Sequence, residues 1–341
     1  MKITVLYNQD FDAPGVGGAA DGAEAREEIA GVAVAVAEAL RGRAGTRADL
    51  LACRGTSFDF VDRLRADPPD LVFNLCESLA GDARGEAAVP AILDTLRLPY
   101  SGSGAATLAL ALHKPLAKAV LRGSGIPVPE GVAIGAIAEL ESVDVPLPAM
   151  VKPAREDASV GITRASVVRD RASLERQVRE VNESLGQEAL VERYVEGREI
   201  YVGFLGDEIL PFTEIDFSSM PPDRPRIVTY DAKWIESSED WQQTPSGVAT
   251  IDDPALRASL EAVARATFRA LCLQDYGRVD LRVDEDGRPW VIDVNANCAL
   301  APDAGFAKAA AAGGLSYPAM IGRIVDAALA RLHARPSRHP R

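Results

Sequence analysis

Several features that would point to particular classes of protein are scarce in this chain of 341 residues. Its four cysteines stand alone, without the Cys-x-x-Cys spacing of zinc or redox sites, and so predict no disulfide framework. No apolar run approaches the length needed to span a bilayer, and the first residues do not resemble a signal peptide. These absences predict a cytoplasmic protein without a membrane contact.

Positive charge is also in deficit, with 37 Lys and Arg against 50 Asp and Glu and a net charge of −13. This balance argues against non-specific nucleic-acid binding and against a polybasic membrane patch. Hydrophobic residues make up 47% of the chain and charged residues 26%, as is usual for a soluble globular protein. The length predicts two or three subdomains.

The first hundred residues alternate between strand and helix patterns. Residues 2–7 and 70–74 are apolar runs typical of buried strands, and residues 25–40 and 86–96 have helical periodicity. This alternation predicts a doubly wound parallel sheet, with a further short strand near residues 98–100. Ligands of such sheets bind at the carboxyl ends of the strands.

After Ser101 the pattern predicts an α+β arrangement. We predict helices over residues 108–121, 173–188, 254–271 and 316–333, and strands over residues 146–153, 189–194, 199–205, 274–283 and 290–294. The segment 215–247 is long, polar and rich in proline, which predicts a functional lid or a disordered segment. Residues 336–341 are expected to form a frayed tail.

The last two predicted strands form a hairpin with polar residues on one face. Side chains alternate along a strand, so Arg278 and Asp280 share a face, as do Asp293 and Asn295. Buried carboxylates are costly unless they are paired or bind a metal. Because Mg²⁺ prefers one or two carboxylates plus substrate phosphates, the pattern favours a magnesium site that holds a nucleotide. A surface hairpin with solvated acids is the alternative.

Eight short segments together resemble the successive blocks of an ATP-grasp enzyme, and in particular those of the D-alanine–D-alanine ligase family. The segments, which span nearly the whole chain in order, are 98–104 (LPYSGSG), 150–153 (MVKP), 159–161 (SVG), 191–192 (VE), 196–199 (EGRE), 230–233 (YDAK), 277–280 (GRVD) and 293–295 (DVN). The resemblance implies an N-terminal α/β domain (1–100), a central subdomain (101–188) and a C-terminal subdomain (189–335) with a lid at 215–247. ATP and Mg²⁺, or Mn²⁺, would lie between the last two.

The resemblance also implies roles for residues on the nucleotide side. Lys114 and Lys152 would bind phosphate oxygens, although each also fits a solvated surface lysine. Glu192 would accept from the adenine amino group and Glu199 from the ribose hydroxyls, although both also fit solvated acids at a strand edge. Two further residues, Tyr194 and Val195, would lie beside the adenine.

The chemical step would use residues on the hairpin of strands 274–283 and 290–294 (the metal hairpin), on the loop of residues 155–161 that could close over the phosphates (the phosphate loop), and on the lid. The resemblance implies that Asp280, Asp293 and Asn295 bind the metal, with Asp293 standing where the family usually has a glutamate. Arg278 would stabilise the oxyanion of a tetrahedral intermediate. The expected catalytic set is completed by Ser159 of the phosphate loop and Lys233 of the lid.

On the substrate side the chain departs from the family pattern. The ammonium-binding glutamate of the family falls in a region where Glu24, Glu27 or Glu28 could serve. Ala158 and Trp234 replace a serine and a tyrosine whose contact with that glutamate closes the lid, so we expect this contact to be lost. The region expected to hold the acceptor substrate is also altered by Asn297, Cys298 and Asp303.

These observations predict an ADP-forming carboxylate–amine ligase that acts through an acyl phosphate. Its partners would be small-molecule amino acid or carboxylate substrates, and the changes on the substrate side predict an altered specificity. Two alternatives stay open: a genuine D-alanine–D-alanine ligase of cell-wall biosynthesis, and a non-catalytic ATP-binding sensor, which would have no need of Arg278. Because the family is often dimeric, a homodimer is a further expectation.

Overall fold

The computed structural model describes residues 1–9, 23–54 and 56–334, and within these the side chains from residue 29 onward in the first helix. The strands are β1 (Lys2–Asn8), β2 (Arg47–Cys53), β3 (Leu71–Asn74), β4 (Gly131–Ile134), β5 (Ala149–Pro153), β6 (Val167–Val168), β7 (Ala189–Arg193), β8 (Arg198–Leu205), β9 (Glu208–Ile209), β10 (Thr213–Ile215), β11 (Ser246–Val248), β12 (Tyr276–Val283) and β13 (Pro289–Asn295). The α-helices are α1 (Ala23–Arg41), α2 (Asp59–Ala66), α3 (Ala88–Leu96), α4 (Ala105–Leu112), α5 (Lys114–Gly123), α6 (Arg171–Ser184), α7 (Tyr230–Trp234), α8 (Glu239–Gln242), α9 (Pro254–Ala270), α10 (Gly305–Ala312) and α11 (Tyr317–Ala334).

The N-terminal sheet has the order β2-β1-β3, and its strands are parallel. Side chains alternate along β1, so that Ile3 and Val5 pack with α1 and α11, whereas Leu6 packs with α2 and α3. Helices therefore cover both faces, and the predicted doubly wound sheet is confirmed. The structure adds β2 and α2, which were not predicted, and reduces the strand expected at residues 98–100 to a single bridge between Val72 and Tyr100.

A second sheet, of order β4-β7-β5-β6, is antiparallel and packs against α6. The strand β7 belongs to this sheet, although the expected boundary at residue 188 assigns it to the C-terminal subdomain. On strand pairing we would place the boundary between β7 and β8.

The third sheet has the order β11-β10-β8-β12-β13, and β9 pairs with β8. Its residues Ile200, Val279 and Leu281 share a core with α4, α5 and α9. Tyr276 and Leu205 share a core with α10, α11 and the N-terminal sheet. The N-terminal sheet and the third sheet are therefore joined by one continuous apolar cluster.

The helix predicted over residues 108–121 is interrupted at His113, which separates α4 from α5. The backbone of His113 is not helical (φ −86°, ψ 81°), and its Nδ1 accepts from the N–H of Leu116 at 3.4 Å. Lys114 therefore lies in the first turn of α5, and its own N–H donates to the carbonyl of Ala154 at the end of β5. The break therefore lets the first turn of α5, with Lys114, contact the end of β5, the strand that carries Lys152.

The segment 215–247 is ordered, which corrects the alternative of a disordered segment. It contains α7 and α8, and β11 returns the chain to the third sheet. Asp240 anchors it by accepting from Thr229 at 2.7 Å and from Arg164 at 2.9 Å. The predicted tail, residues 336–341, lies outside the described residues. No helix within the described ranges is long and apolar enough to cross a bilayer.

Candidate active site

A cleft of about 1770 Å³ lies between the second and third sheets and extends to the loops of the N-terminal domain. Seventeen of the residues singled out in the sequence line this cleft: Lys114, Lys152, Ala158, Ser159, Glu192, Tyr194, Val195, Glu199, Lys233, Trp234, Arg278, Asp280, Asp293, Asn295, Asn297, Cys298 and Asp303. The side chains of Glu24, Glu27 and Glu28 lie outside the described part of the structure. The structure thus brings together side chains that are up to 189 positions apart in sequence, from 114 to 303.

Two lysines share one carboxylate at the floor of the cleft. Glu192 lies 2.7 Å from Nζ of Lys152 and 2.6 Å from Nζ of Lys118, and all three side chains are buried. Burial by itself raises the pKa of Glu192, but the charges of the two lysines outweigh it, and the pKa is lowered. The pKa of Lys118 is lowered to about 8, chiefly by burial. Glu192, implied by the resemblance to face the adenine, here also neutralises part of the lysine charge.

Lys118 was not predicted from the sequence. It lies one helical turn after Lys114 on α5, and residues at this spacing share one face of a helix. Its Nζ is also 3.3 Å from the carbonyl oxygen of Val291 in β13. The repeat of lysine at i and i+4 was the available signal, but it is equally typical of an exposed face.

Lys114 connects the phosphate loop to the metal hairpin. Its Nζ donates to Asp157 at 3.0 Å and to the carbonyl of Glu156 at 2.7 Å, and it lies 3.5 Å from Asp293. Burial favours the neutral amine, but Asp293 and Asp157 outweigh it and raise the pKa of Lys114. The lysine therefore stays charged, as a phosphate ligand requires.

The two proposed metal carboxylates face each other across the hairpin. Asp280 of β12 pairs with Asp293 of β13, immediately before a bulge in the register. Asp280 accepts from Nε of Arg278 at 2.6 Å and from Nδ2 of Asn295 at 3.0 Å. An amide that donates through Nδ2 presents its oxygen on the opposite side.

Three oxygen ligands from Asp280, Asp293 and Asn295 fit a small hard cation such as Mg²⁺, whose other ligands would come from phosphates and water. Burial raises the pKa of Asp293, yet Lys114, Lys152 and Lys118 lower it by more, so the carboxylate is ionised. Among the described residues, no cluster of three or more His, Cys, Asp and Glu side chains is placed to hold a metal. A metal ion at this site would therefore also need the amide oxygen of Asn295 and the phosphates of the nucleotide as ligands.

The phosphate loop has an unusual backbone conformation. Ala158 (φ 56°), Ser159 (φ 61°) and Gly161 (φ 74°) all adopt positive φ. At Gly161 the positive φ favours glycine, and a Cβ atom there would also lie 2.8 Å from the ring of Pro153. The loop is thereby held in a sharp curve over the lysines.

The lid is closed on this loop by three hydrogen bonds. Trp234 donates from its indole N–H to the carbonyl of Ala158 at 2.9 Å, and Ser159 donates from its hydroxyl to the carbonyl of Val228 at 3.1 Å. The N–H of Tyr230 donates to the carbonyl of Ile162 at 2.9 Å. The expected loss of the family's contact with the glutamate stays a prediction, because the candidate glutamate side chains lie outside the described residues. The indole of Trp234 makes a different lid contact, with a backbone acceptor.

Glu199 lines the same cleft as Glu192, between a half-buried tyrosine and a buried arginine. It accepts from the hydroxyl of Tyr201 at 2.7 Å and lies 2.7 Å from Nη2 of Arg282. The turn before it needs Gly197, where a Cβ atom would meet the carbonyl of Val283. Arg282, which was not predicted, fixes the carboxylate beside Tyr194 and Val195, where the adenosine is expected.

The two cations expected to act in the chemical step lie together. Burial and the nearby charge of Arg278 lower the pKa of Lys233. Arg278 stacks at 4.4 Å from the ring centre of Tyr201 and is held by Asp280. Burial raises the pKa of the neighbouring Cys298 to about 12, so its thiol is neutral. Lys233, Arg278 and Asp303 all line the cleft, in the part where the sequence predicts the substrates.

This arrangement defines a class of protein. The cleft lies between two sheets that are each covered by helices, with buried lysines on one side and paired carboxylates on the other. A glycine-containing loop and a lid close it. This is the architecture of an ATP-grasp enzyme. Comparison with solved structures agrees on the fold. The ATP complex and a second crystal structure of D-alanine–D-alanine ligase from Bacillus anthracis match with TM-scores of 0.75 and 0.74, at 21% identity, over 98% of this chain and 99–100% of theirs.

Sequence comparisons identify the family. The family model described as D-ala D-ala ligase C-terminus matches residues 133–326. Similar relatives are the uncharacterized protein y4sG of Sinorhizobium fredii (32% identity; 82% of this chain, 83% of that protein) and the D-alanine–D-alanine ligases of Synechococcus sp. strain JA-2-3B'a(2-13) (32%; 77% and 78%) and Gloeobacter violaceus (32%; 80% and 86%). The chain belongs to the D-alanine–D-alanine ligase family and is an ATP-dependent ligase of the ATP-grasp type.

Proposed function

We propose that this protein is an ADP-forming ligase that joins two amino acids, or an amino acid and another small carboxylate, through an acyl phosphate. The observation that carries the proposal is that one cleft joins a lysine-lined nucleotide end to an end that exposes Lys233 and Arg278. The nucleotide end supplies the charge that a triphosphate requires, and the other end supplies cations for a substrate carboxylate.

In the first step, an oxygen of the substrate carboxylate would attack the γ-phosphorus of ATP, giving an acyl phosphate and ADP. Lys114 and Lys152 would hold the phosphate oxygens, and the phosphate loop would cover them. Bound Mg²⁺, held by Asp280, Asp293 and Asn295, would supply positive charge against the phosphates.

In the second step, the amine of the other substrate would attack the acyl carbon, and phosphate would leave. Arg278 would stabilise the oxyanion of the tetrahedral intermediate, since its guanidinium is fixed by Asp280 and directed into the substrate end. Closure of the lid through Trp234 and Ser159 would exclude water, which would otherwise hydrolyse the acyl phosphate.

We further propose that the substrate pair differs from two D-alanines. Trp234 fills lid space where the family has a tyrosine, and Asp303 and Cys298 change the charge and shape of the expected acceptor site. A carboxylate at Asp303 would repel an acceptor's carboxylate in close contact and attract a cationic group. The names of the Synechococcus and Gloeobacter relatives support D-alanyl-D-alanine synthesis as the second candidate.

The test is a screen of D- and L-amino acids, singly and in all pairs, for ADP formation in the presence of ATP and Mg²⁺, with products identified by mass spectrometry. We expect release of ADP with one or more pairs, and only slow release with D-alanine alone. The absence of any amino-acid-dependent ADP release would overturn the ligase assignment. Rapid D-alanyl-D-alanine formation would overturn only the altered specificity.

A further inference from the structure

A buried carboxylate at the substrate end of the cleft has no role in the steps above. Glu86 lies between a 3₁₀ turn at residues 83–85 and α3, is 7% exposed, and lines the cleft. Its Oε1 accepts from Nδ2 of Asn297 at 2.9 Å. In the part of the chain that the structure describes, Glu86 has no lysine, arginine or histidine in ion-pair contact.

Asn297 holds this carboxylate in a fixed direction. The hydroxyl of Tyr276 donates to Oδ1 of Asn297 at 2.6 Å, and Nδ2 of Asn297 also donates to the carbonyl of Cys76 at 3.0 Å. Burial raises the pKa of Tyr276 well above its usual value, so its hydroxyl remains a donor. With the Asn297 amide oriented in this way, Oε1 of Glu86 must be an acceptor, and Oε2 is the oxygen left for a ligand.

The electrostatic environment of Glu86 calls for a cation. Burial, followed by the charges of Asp157 and Glu77, raises the pKa of the Glu86 carboxyl, and the hydrogen bond from Asn297 offsets only part of this rise. A buried carboxylate without a counter-ion is costly, and a protein that needed only packing here would have an apolar side chain or an amide. An incoming ammonium group would supply the missing charge.

We propose that Glu86, positioned by Asn297, binds the ammonium group of the amino acid whose carboxylate is phosphorylated. This inference rests on the proposed function. An amine that stays bound as ammonium has no lone pair with which to attack, which suits the carboxyl donor, whose amine does not react. The residue after Asn297 is Cys298, whose thiol lies within the electrostatic reach of Arg278. Glu86 and Asn297 line the same cleft as Arg278 and Lys233, and the proposal directs the donor's carboxylate toward these two cations.

The assignment makes Glu86 a specificity-determining residue for α-amino acids over plain carboxylic acids. It also transfers to the loop before α3 a role that the family resemblance implied for Glu24, Glu27 or Glu28 on α1. A carboxylate on the loop before α3 or at the start of α1 could bind the same ammonium group. The experiment must therefore separate the two places.

The test measures binding of small probes to the full-length protein loaded with ADP and Mg²⁺, by saturation-transfer NMR and calorimetry. The probes are glycine and both enantiomers of alanine and serine, compared with acetate and propionate. In the wild type we expect at least one amino acid to bind about tenfold or more tightly than the acid lacking the amine. Glu86→Gln, which keeps an oxygen for Asn297, is expected to remove this preference and to leave ADP affinity unchanged, and Glu86→Asp to restore part of it.

Asp82→Asn is the matched control, because it removes a carboxylate from the same loop. Asp82 is paired with Arg84, at 2.6 Å, and so has no charge to offer a ligand. We expect this variant to bind all probes as the wild type does. If Glu86→Gln binds the amino acids unchanged, if no amino acid is preferred by the wild type, or if Glu27→Gln and not Glu86→Gln removes the preference, the assignment is overturned.

Thermal unfolding provides a second readout that separates binding from a structural role. Because the folded-state pKa of Glu86 is raised, its contribution to stability is present at low pH and is lost as the pH rises through that pKa. Near neutral pH, Glu86→Gln should therefore unfold at the same or a higher temperature than the wild type. A lower unfolding temperature would mean that Glu86 serves the fold.

Binding of amino acids without ADP release from any pair would contradict the proposed ligase reaction but not the role of Glu86.

Discussion

The hydrogen bond from the Trp234 indole to the carbonyl of Ala158 can be removed with little change to packing. Trp234→Phe keeps an aromatic ring beside Tyr230, whose ring centre lies 6.4 Å away, but deletes the donor that now reaches the carbonyl at 2.9 Å. We expect the lid to open more often over the phosphate loop. Water would then reach the acyl phosphate, and ATP would be consumed without formation of the product.

The size of the effect follows from one neutral hydrogen bond in a half-buried position. Such a bond contributes about 0.5–1.5 kcal/mol, which corresponds to roughly a 2- to 13-fold shift in the ratio of closed to open lid. The assay compares ADP released with product formed at saturating ATP, using the best substrate pair from the amino acid screen. The ratio should rise for Trp234→Phe, and kcat/KM for the product should fall by a similar factor.

Trp241→Phe is the matched control, because Trp241 lies in the same lid, in α8, and its side chain is 39% exposed. We expect this variant to keep the wild-type ratio of ADP to product. Equal ratios for Trp234→Phe and Trp241→Phe would refute the lid-closing role of the indole. A loss far beyond the stated range would show that ring packing, and not the hydrogen bond, closes the lid.

Three further predictions concern the nucleotide end. The pKa of Lys118 is about 8 in the fold against an ordinary value of 10.5, so the free energy of unfolding should increase by up to about 3 kcal/mol as the pH rises from about 7 to 10. Urea unfolding of Lys118→Met should show no such increase. An increase equal to that of the wild type would contradict the lowered pKa of Lys118. Asp293→Asn should raise the Mg²⁺ concentration needed for ADP release by about tenfold or more, and an unaltered Mg²⁺ titration would remove Asp293 from the metal site. Lys152→Met should weaken ATP binding and rate together, whereas Arg278→Met should lower kcat with little change in KM for ATP; similar kinetics in both would show that one assigned role is wrong.

The metal hairpin could be predicted from sequence because its signal is local. Polar side chains two positions apart, Arg278 with Asp280 and Asp293 with Asn295, interrupt two apolar runs that are joined by a short turn. Antiparallel pairing of such neighbours is nearly forced, and the structure confirms the hairpin and adds its register, in which Asp280 pairs with Asp293. The strand pattern therefore predicts both the hairpin and its candidate metal ligands.

Residues whose roles depend on partners far away in the chain could not be predicted. Lys118 looks like an ordinary helix lysine until β7 brings Glu192 to it, 74 positions later. Arg282 is one of many arginines until the turn at Gly197 places Glu199 beside it. The break at His113 was missed although the sequence carried its signal, because Pro115 lies in the first turn of α5 and proline is typical of the start of a helix and not of its interior.

The two ends of the cleft differ in how their charge is balanced, and this difference bears on specificity. At the proposed nucleotide end, Glu192 is neutralised by two lysines and Glu199 by Arg282, so the groups proposed to meet ATP are held in place by the protein itself. At the proposed substrate end, the side-chain partner of Glu86 among the described residues is a neutral amide. Because a buried charge that the protein leaves unbalanced is best satisfied by a ligand of opposite sign, recognition of the substrate should depend on Glu86 more than on any group at the nucleotide end. A family that keeps one reaction and changes its substrates would alter this end of the cleft first.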